Sequence, residues 1–180
     1  MTGQITAEKQ PYTVLAVDDN LLNLKLIEKS LSKEGYRIFS ASNGPDGRKI
    51  AEREKPDLIL LDIEMPGETG FDVITKLKDN PETNPIPVLF LTGVSEVDAK
   101  LKGFDLGAVD YITKPLQESE TVARVMTHLR LKELNENLEQ KVEERTRKLE
   151  NANQQLQKEI GERRRIQKEL LESKEHLQLI

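Results

Sequence analysis

Residues 58–66 read Leu-Ile-Leu-Leu-Asp-Ile-Glu-Met-Pro, and this stretch decides the fold class. Four apolar residues in a row are typical of a central strand covered by helices on both faces, since a half-exposed strand would alternate apolar and polar residues. An acidic residue, Asp62, follows directly. In open parallel sheets, ligands bind outside the carboxyl ends of the strands. Asp62 is therefore expected at a ligand-binding edge.

Comparable short apolar runs occur on both sides of this stretch. They are rich in β-branched residues and alternate with segments whose apolar residues have helical spacing. This alternation predicts βαβ units and an α/β fold, a doubly wound five-stranded parallel sheet. The predicted strands are Thr13–Val17, Tyr36–Ser40, Asp57–Leu61, Pro87–Leu91 and Asp110–Ile112, and the predicted helices are Leu21–Leu31, Gly47–Glu54, Phe71–Leu77 and Val97–Phe104.

Polar residues stand at the carboxyl ends of these strands. Because those ends share one edge of a parallel sheet, their side chains are expected to meet. Three carboxylates with pKa values of roughly 4 would repel each other there, and a divalent cation would remove the conflict. Oxygen-only ligation suits Mg²⁺ or Mn²⁺. The residues are Asp18 and Asp19 after the first strand, Asp62 at the end of the third, Thr92 after the fourth and Lys114 after the fifth.

This set of side chains can accept a phosphoryl group. Asp62 is an anion that can attack phosphorus without a base, while Lys114 neutralises charge on the phosphoryl oxygens. Thr92 can donate a hydrogen bond to one of those oxygens. A simpler interpretation is that Asp18 and Asn20 only cap the following helix, which does not explain a pair of carboxylates placed opposite Asp62 and Lys114.

Four segments also resemble the signatures of response-regulator receiver domains, in the order and at the spacing of that family. The resemblance implies a flavodoxin-like sheet with strand order 2-1-3-4-5, a receiver domain at residues 13–127 and an N-terminal tail at residues 1–12. The segments are Val17-Asp18-Asp19-Asn20, Leu61-Asp62-Ile63-Glu64-Met65-Pro66 with Gly70, Leu91-Thr92-Gly93, and Gly107-Ala108-Val109-Asp110-Tyr111-Ile112-Thr113-Lys114-Pro115.

The resemblance implies a role for each matching residue. Asp62 would be the phosphoacceptor, a metal would be held by Asp18, Asp19, Asp62 and the backbone carbonyl of Glu64, and Lys114 would contact the phosphate. The implied donor is a phosphohistidine on a sensor histidine kinase or phosphotransfer protein. Because the group is transferred to the protein itself, we do not expect an enzyme.

The resemblance further implies a conformational switch. Tyr111 would turn inward as Thr92 moves toward the phosphate, and the Lys114–Pro115 peptide would be cis, a form that costs little only before proline. One residue departs from the family, because Gly93 stands where alanine is more frequent. Glycine there keeps access to the site open but loosens the loop.

The residues after Pro115 have a different character. From His128 to Ile180 there are no proline or aromatic residues and one glycine, with 12 basic and 11 acidic residues, which predicts that the last receiver helix continues. Apolar residues at steps of four and three from Leu131 predict a left-handed coiled coil. The predicted a positions are Asn135, Val142, Leu149, Leu156, Leu170 and Leu177, and the apolar d positions are Leu131, Leu138, Ala152, Ile166 and Ile180.

We therefore predict that residues 128–180 form a dimeric parallel coiled coil and that the homodimer forms through residues 131–180, since an Asn at an a position favours a parallel, in-register pair.

Residues 139–150 and 161–165 resemble signalling helices that join receivers to PAS, diguanylate cyclase or histidine kinase domains. An output domain is expected beyond residue 180. Polar residues at Arg145, Glu159 and Arg163 interrupt the pattern, either as a hinge or as an ordinary lapse.

The composition excludes several classes of protein. No cysteine is present, which argues against a disulfide-stapled secreted module. No apolar run approaches about 18 residues, so no membrane segment is expected, and a cytoplasmic location is the default. Arg163, Arg164 and Arg165 would point in different directions on a helix, so nucleic-acid binding is not expected.

Two other functions stay open from the sequence. The first is a phosphorylation-independent dimerisation scaffold with a receiver fold. The second is a metal-dependent phosphatase with Asp62 as nucleophile, which is weakened because Glu64, at the spacing of the usual acid/base carboxylate, is interpreted as a backbone metal ligand. For the tail, the alternatives are a single solvated helix or an antiparallel pairing within the chain.

Overall fold

The computed structural model describes residues 11–93 and 97–178, and strands and helices alternate along this part of the chain. The strands are β1 (Thr13–Val17), β2 (Arg37–Ala41), β3 (Leu58–Asp62), β4 (Val88–Thr92) and β5 (Asp110–Thr113); the helices are α1 (Leu21–Lys33), α2 (Gly44–Glu54), α3 (Gly70–Asp79), α4 (Val97–Asp105) and α5 (Glu118–Gln178).

The five strands form one parallel sheet in the order β2-β1-β3-β4-β5. This confirms the predicted doubly wound, flavodoxin-like fold. The central strands β3 and β4 are buried at every position because helices cover both faces. One face packs on α1 and α5 through residues such as Ile27 and Leu129, and the other packs on α2 and α3 through residues such as Ala51 and Ile74.

Several element boundaries differ from those predicted. Strands β2, β3 and β4 each begin and end one residue later, so that Thr92 is the last residue of β4 instead of following it. Its backbone is paired with Thr113 of β5, which explains the extension. Helix α2 begins at Gly44, three residues before the predicted start, because the Asn43 side chain accepts a hydrogen bond from the Asp46 N–H and caps the helix there.

Helix α5 begins shortly after the cis Lys114–Pro115 peptide, as predicted, and runs without interruption to Gln178. The residues up to Lys132 group with the sheet, and those from Glu133 onward form a second unit. The predicted end of the receiver domain, at residue 127, lies slightly before this division between the two units. No helix in the part of the chain that the structure describes is long and apolar enough to cross a membrane.

The second unit is a helix with a row of exposed apolar side chains. The side chains of residues 171–178 and the whole of Leu179 and Ile180 lie outside the described residues, and these include the predicted core side chains of Leu177 and Ile180. The large apolar side chains that are exposed between Glu133 and Leu170 are Leu134, Leu138, Val142, Leu149, Leu156, Ile160, Ile166 and Leu170.

Candidate functional site

Three carboxylates meet at the carboxyl edge of the sheet, where the sequence predicts a metal site. Oxygens of Asp18, Asp19 and Asp62 all lie within 4.8 Å of one another. Asp18 and Asp62 are almost fully buried, whereas Asp19 is exposed. The loop after β1 carries the first two residues, and the last position of the neighbouring strand β3 carries the third.

Lys114 brings a positive charge into this cluster. Its Nζ lies 2.7 Å from an Asp62 oxygen and 3.2 Å from an Asp18 oxygen. Burial raises the pKa of Asp62 above its usual value, the hydrogen bond from Lys114 works in the opposite direction, and the nearby Asp18 charge raises it again. Burial would lower the pKa of Lys114, but the two carboxylates outweigh this effect and raise it. One ammonium group therefore compensates the acidic cluster only in part.

Asp18 is oriented by the first turn of α1. One of its oxygens accepts a hydrogen bond from the Asn20 N–H at 2.8 Å, and the other accepts one from the Asn23 side chain at 2.9 Å. Asn20 itself caps α1 by accepting from the Leu22 N–H. Asn20 thus acts as a cap, and Asp18 remains directed at the cluster. Asn23 was not identified from the sequence. The one feature of the sequence that pointed to it is the position of its amide side chain on the first turn of the helix that follows Asp18 and Asp19.

The loop after Asp62 approaches the strand closely. The Glu64 N–H donates to an Asp62 oxygen at 3.2 Å, and the Gly70 N–H donates to the Ile63 carbonyl at 2.9 Å. A β-carbon on Gly70 would lie 2.3 Å from the backbone oxygen of Asp62, so a side chain at this position would force the backbone to shift. The fold therefore holds Glu64 beside the cluster, while metal binding by its carbonyl stays a prediction.

Thr92 and Tyr111 lie on neighbouring strands near this site. The buried Thr92 hydroxyl donates to the Gly93 carbonyl at 3.2 Å. The Tyr111 ring is half-buried and packs against Phe104 in an edge-to-face arrangement, with ring centroids 6.2 Å apart. Thr92 and Tyr111 line the same small cavity of about 10 Å³, together with Ile63, Phe90, Gly103, Phe104, Ala108 and Asp110.

The donor set suits a hard divalent cation. All the clustered atoms are carboxylate oxygens, and two of the three carboxylates are buried. Magnesium and manganese prefer such oxygens and retain several waters, which the exposed side of the site at Asp19 would accommodate. Asp18, Asp19 and Asp62 are thus the side chains that fit such an ion.

Comparison with known proteins agrees with this geometry. The family model described as "Response regulator receiver domain" matches residues 14–126. The response regulator PleD of Caulobacter vibrioides is 40% identical over 128 residues, which are 71% of this chain and 28% of PleD. Protein PilH of Pseudomonas aeruginosa is 39% identical over 113 residues, which are 63% of this chain and 93% of PilH.

The solved structure of the chemotaxis protein CheY4 of Vibrio cholerae has 27% sequence identity and a TM-score of 0.62, and the match covers 66% of this chain and 98% of that one. The chain spans only about a quarter of the length of PleD and of one other curated relative. This relative, a probable cyclic di-GMP phosphodiesterase of Vibrio cholerae, is 43% identical over 120 residues, which are 67% of this chain and 27% of that protein.

Proposed function

Because the chain belongs to the response regulator receiver domain family, we propose that it accepts a phosphoryl group on Asp62 from a phosphohistidine of a histidine kinase or phosphotransfer protein. One observation carries the proposal. The buried Asp62 carboxylate lies 2.7 Å from Lys114, in a cluster with Asp18 and Asp19. A carboxylate held beside an ammonium group and two further oxygen ligands has the parts that phosphoryl transfer requires.

In the proposed reaction, an Asp62 oxygen attacks phosphorus and the phosphorus–nitrogen bond of the donor breaks. The bonding electrons leave with the imidazole nitrogen, which becomes protonated from solvent, and Asp62 becomes an acyl phosphate. Lys114 neutralises negative charge on the phosphoryl oxygens. A divalent ion held by Asp18, Asp19 and Asp62 would supply further charge neutralisation when bound. Asn23 keeps Asp18 directed at the cluster.

The response would pass through Thr92 and Tyr111 to α5. The Thr92 hydroxyl, which donates to the Gly93 carbonyl in this structure, would turn toward a phosphoryl oxygen. Thr92 and Tyr111 line the same cavity, so this turn would leave space next to the Tyr111 ring. The exposed apolar row after Glu133 would pair with a second copy as a parallel coiled coil, the signalling helix of the proposed homodimer. An output domain joined to this helix would receive the signal.

Acetyl phosphate with Mg²⁺ tests the phosphoacceptor. We expect intact-mass spectrometry to show one added phosphoryl group on the native protein and none on Asp62→Ala. The matched control is Asp79→Ala, which removes an exposed aspartate at the end of α3 and should be labelled normally.

Two results would contradict the proposal: no mass gain on the native protein, or a gain that persists in Asp62→Ala. The first result would favour the scaffold, in which the receiver fold and the helix serve dimerisation alone, and the second would show that another residue accepts the phosphoryl group. Peptide mapping of the labelled native protein gives an independent answer, because the acyl phosphate must lie on a peptide that contains residue 62. Sustained turnover of a phosphomonoester would instead favour the phosphatase.

A further inference from the structure

Asp110, the first residue of β5, receives several hydrogen bonds from α5. Arg124 Nη1 donates to both carboxylate oxygens at 2.8 and 2.9 Å, and His128 Nε2 lies 3.0 Å from one of them. The Tyr111 N–H donates to the same carboxylate at 2.8 Å. Two successive turns of α5 are thus attached to the strand residue that directly precedes Tyr111.

Arg124 also touches the Tyr111 side chain. Its guanidinium carbon lies 5.5 Å from the centre of the Tyr111 ring, within the range of a cation–π contact. Its Nε donates to Glu120 one turn earlier on α5, at 2.9 Å. The contacts with Asp110, the Tyr111 ring and Glu120 together orient the planar guanidinium. A lysine could not reproduce them, because it lacks the fixed donor directions of arginine.

The cluster is partly shielded from solvent, so these interactions are not the weak type found between fully exposed charges. The exposed side-chain fractions are 33% for Arg124, 20% for Asp110 and 13% for His128. Burial alone would raise the pKa of Asp110, but the bonds from His128, Tyr111 and Arg124 outweigh burial and lower it. The ion pair between Lys33 of α1 and Glu118 of α5 offers a contrast, because both side chains are 52% exposed.

We propose that Arg124 is a positioning residue that joins the Tyr111 ring to α5, so that a change in the ring's position is passed directly to the signalling helix. The proposal rests on the proposed function and deepens it. When the ring turns inward it moves away from the guanidinium, and the contact between Arg124 and the ring is lost. Arg124 then keeps only its bonds to Asp110 and Glu120, so the second turn of α5 is held differently and responds there.

The experiment compares the full-length wild-type chain, Arg124→Gln and the matched control Arg130→Gln, which alters an exposed arginine six positions later on the same helix. Beryllofluoride with Mg²⁺ serves as the phosphoryl mimic. Amide hydrogen exchange of residues 118–132 measures the response of α5, and acetyl phosphate labelling measures Asp62 separately. Fluorine NMR on fluorotyrosine-labelled protein measures the surroundings of Tyr111, with Tyr111→Phe used to assign its resonance.

In the wild type and in Arg130→Gln, we expect beryllofluoride to change amide exchange in α5 by about fivefold, the lower end of typical couplings between sites. In Arg124→Gln, Asp62 should still be labelled, but the change in α5 should fall below about twofold. The fluorine resonance of Tyr111 should shift in free Arg124→Gln and stay in place in Arg130→Gln. If Arg124→Gln does not fold, Arg124→Lys keeps the charge opposite Asp110 and is expected to show the same loss of coupling.

The proposal is overturned if the α5 response to beryllofluoride persists in both Arg124 variants, even if their thermal stability falls. Arg124 would then only stabilise the packing of α5 against β5. Failure of the proposed function looks different: the wild type would not be labelled at Asp62. In that case the fluorine resonance of Tyr111 in the free protein still tests the contact with Arg124. An unchanged resonance in Arg124→Gln overturns the proposed link between the ring and α5, and a shifted resonance supports the contact.

Discussion

At the scale of single residues, the site depends on side chains that orient the acidic cluster as well as on the cluster itself. Asp18 is fully buried and both of its oxygens accept hydrogen bonds, one of them from Asn23. A ligand that is held in one orientation loses less freedom when an ion binds. We therefore expect Asn23 to support metal binding at Asp18, although it is not one of the predicted ligands.

The Asn23→Ala substitution should weaken Mg²⁺ binding by about tenfold, the lower end of the effect of residues that orient metal ligands. It should slow acetyl phosphate labelling at low Mg²⁺ and leave labelling at saturating Mg²⁺ nearly normal. Titrating the labelling rate with Mg²⁺ measures this. The control is Asn153→Ala, an exposed amide in the second unit. Equal Mg²⁺ dependence in the two variants would show that Asn23 does not orient Asp18.

Two glycines near the site should respond in opposite ways to alanine. A β-carbon at Gly70 would meet backbone atoms of Asp62 and Ile63, whereas one at Gly93 would meet nothing within 4 Å. Gly70→Ala should lower the free energy of unfolding by about 1–3 kcal/mol, as overpacking does. Gly93→Ala should leave it unchanged or raise it by about 0.4–1 kcal/mol. Urea unfolding of both variants checks this; a marked loss in Gly93→Ala would contradict the open geometry.

At the scale of elements, α5 is attached to the amino-terminal edge of the sheet as well as to β5. Lys132 Nζ lies 2.6 Å from one oxygen of Asp57, and the other oxygen accepts bonds from the N–H and hydroxyl of Thr13 at 2.8 and 3.1 Å. Lys132 is also the last residue that groups with the sheet. This ion pair therefore marks the point at which α5 leaves the receiver.

The Asp57 contact should make stability depend on pH. Burial would raise the pKa of Asp57, but the bonds from Lys132 and Thr13 outweigh burial and lower it from the ordinary value of 3.8. A carboxyl whose pKa is lower in the folded state stabilises that state above its unfolded pKa, and the gain disappears as the pH falls through the folded pKa.

Urea unfolding of the wild type and Asp57→Asn should therefore show a difference in free energy that is largest at neutral pH and shrinks below about pH 3.8. Lys132→Met is the companion variant. It removes the main partner of Asp57, so its difference from the wild type should shrink in the same range. Differences that stay constant with pH in both variants would show that the ionisation of Asp57 does not contribute to stability.

At the scale of the whole molecule, the proposed dimer depends on the exposed apolar row of the second unit. Leu149 and Leu156 are 71% and 56% exposed in the single chain, and a lone helix would leave both in water. At central a positions of a parallel coil they would pack against their counterparts in a second copy.

Sedimentation should show a dimer at micromolar concentration, and replacement of both leucines by asparagine should shift the equilibrium toward the monomer by at least about 100-fold, because each loses a large buried side chain. The control is Gln154→Asn with Gln157→Asn, which changes neighbouring positions outside the predicted core. A monomeric wild type, or unchanged dimerisation after the leucine substitutions, would contradict the heptad prediction.

The sequence alone determined the sheet, the buried central strands, the long last helix and the set of residues that meet at the carboxyl edge. This was possible because these features follow from periodicity: apolar runs define strands, alternation with helices makes the sheet parallel, and parallel strands carry the residues at their ends to one edge. Most strand limits were placed one residue too early, since backbone pairing can continue through polar residues such as Thr92.

Only the tertiary structure decided which partners hold these parts together. Asp57 meets Thr13 across 44 positions and Lys132 across 75, and Asp110 meets Arg124 and His128 on a helix. Periodicity indicates which face of an element is buried, but charged residues at the rim of that face look like ordinary surface residues. Their pairing depends on how each helix lies across the sheet, a distance and an angle that no local pattern contains.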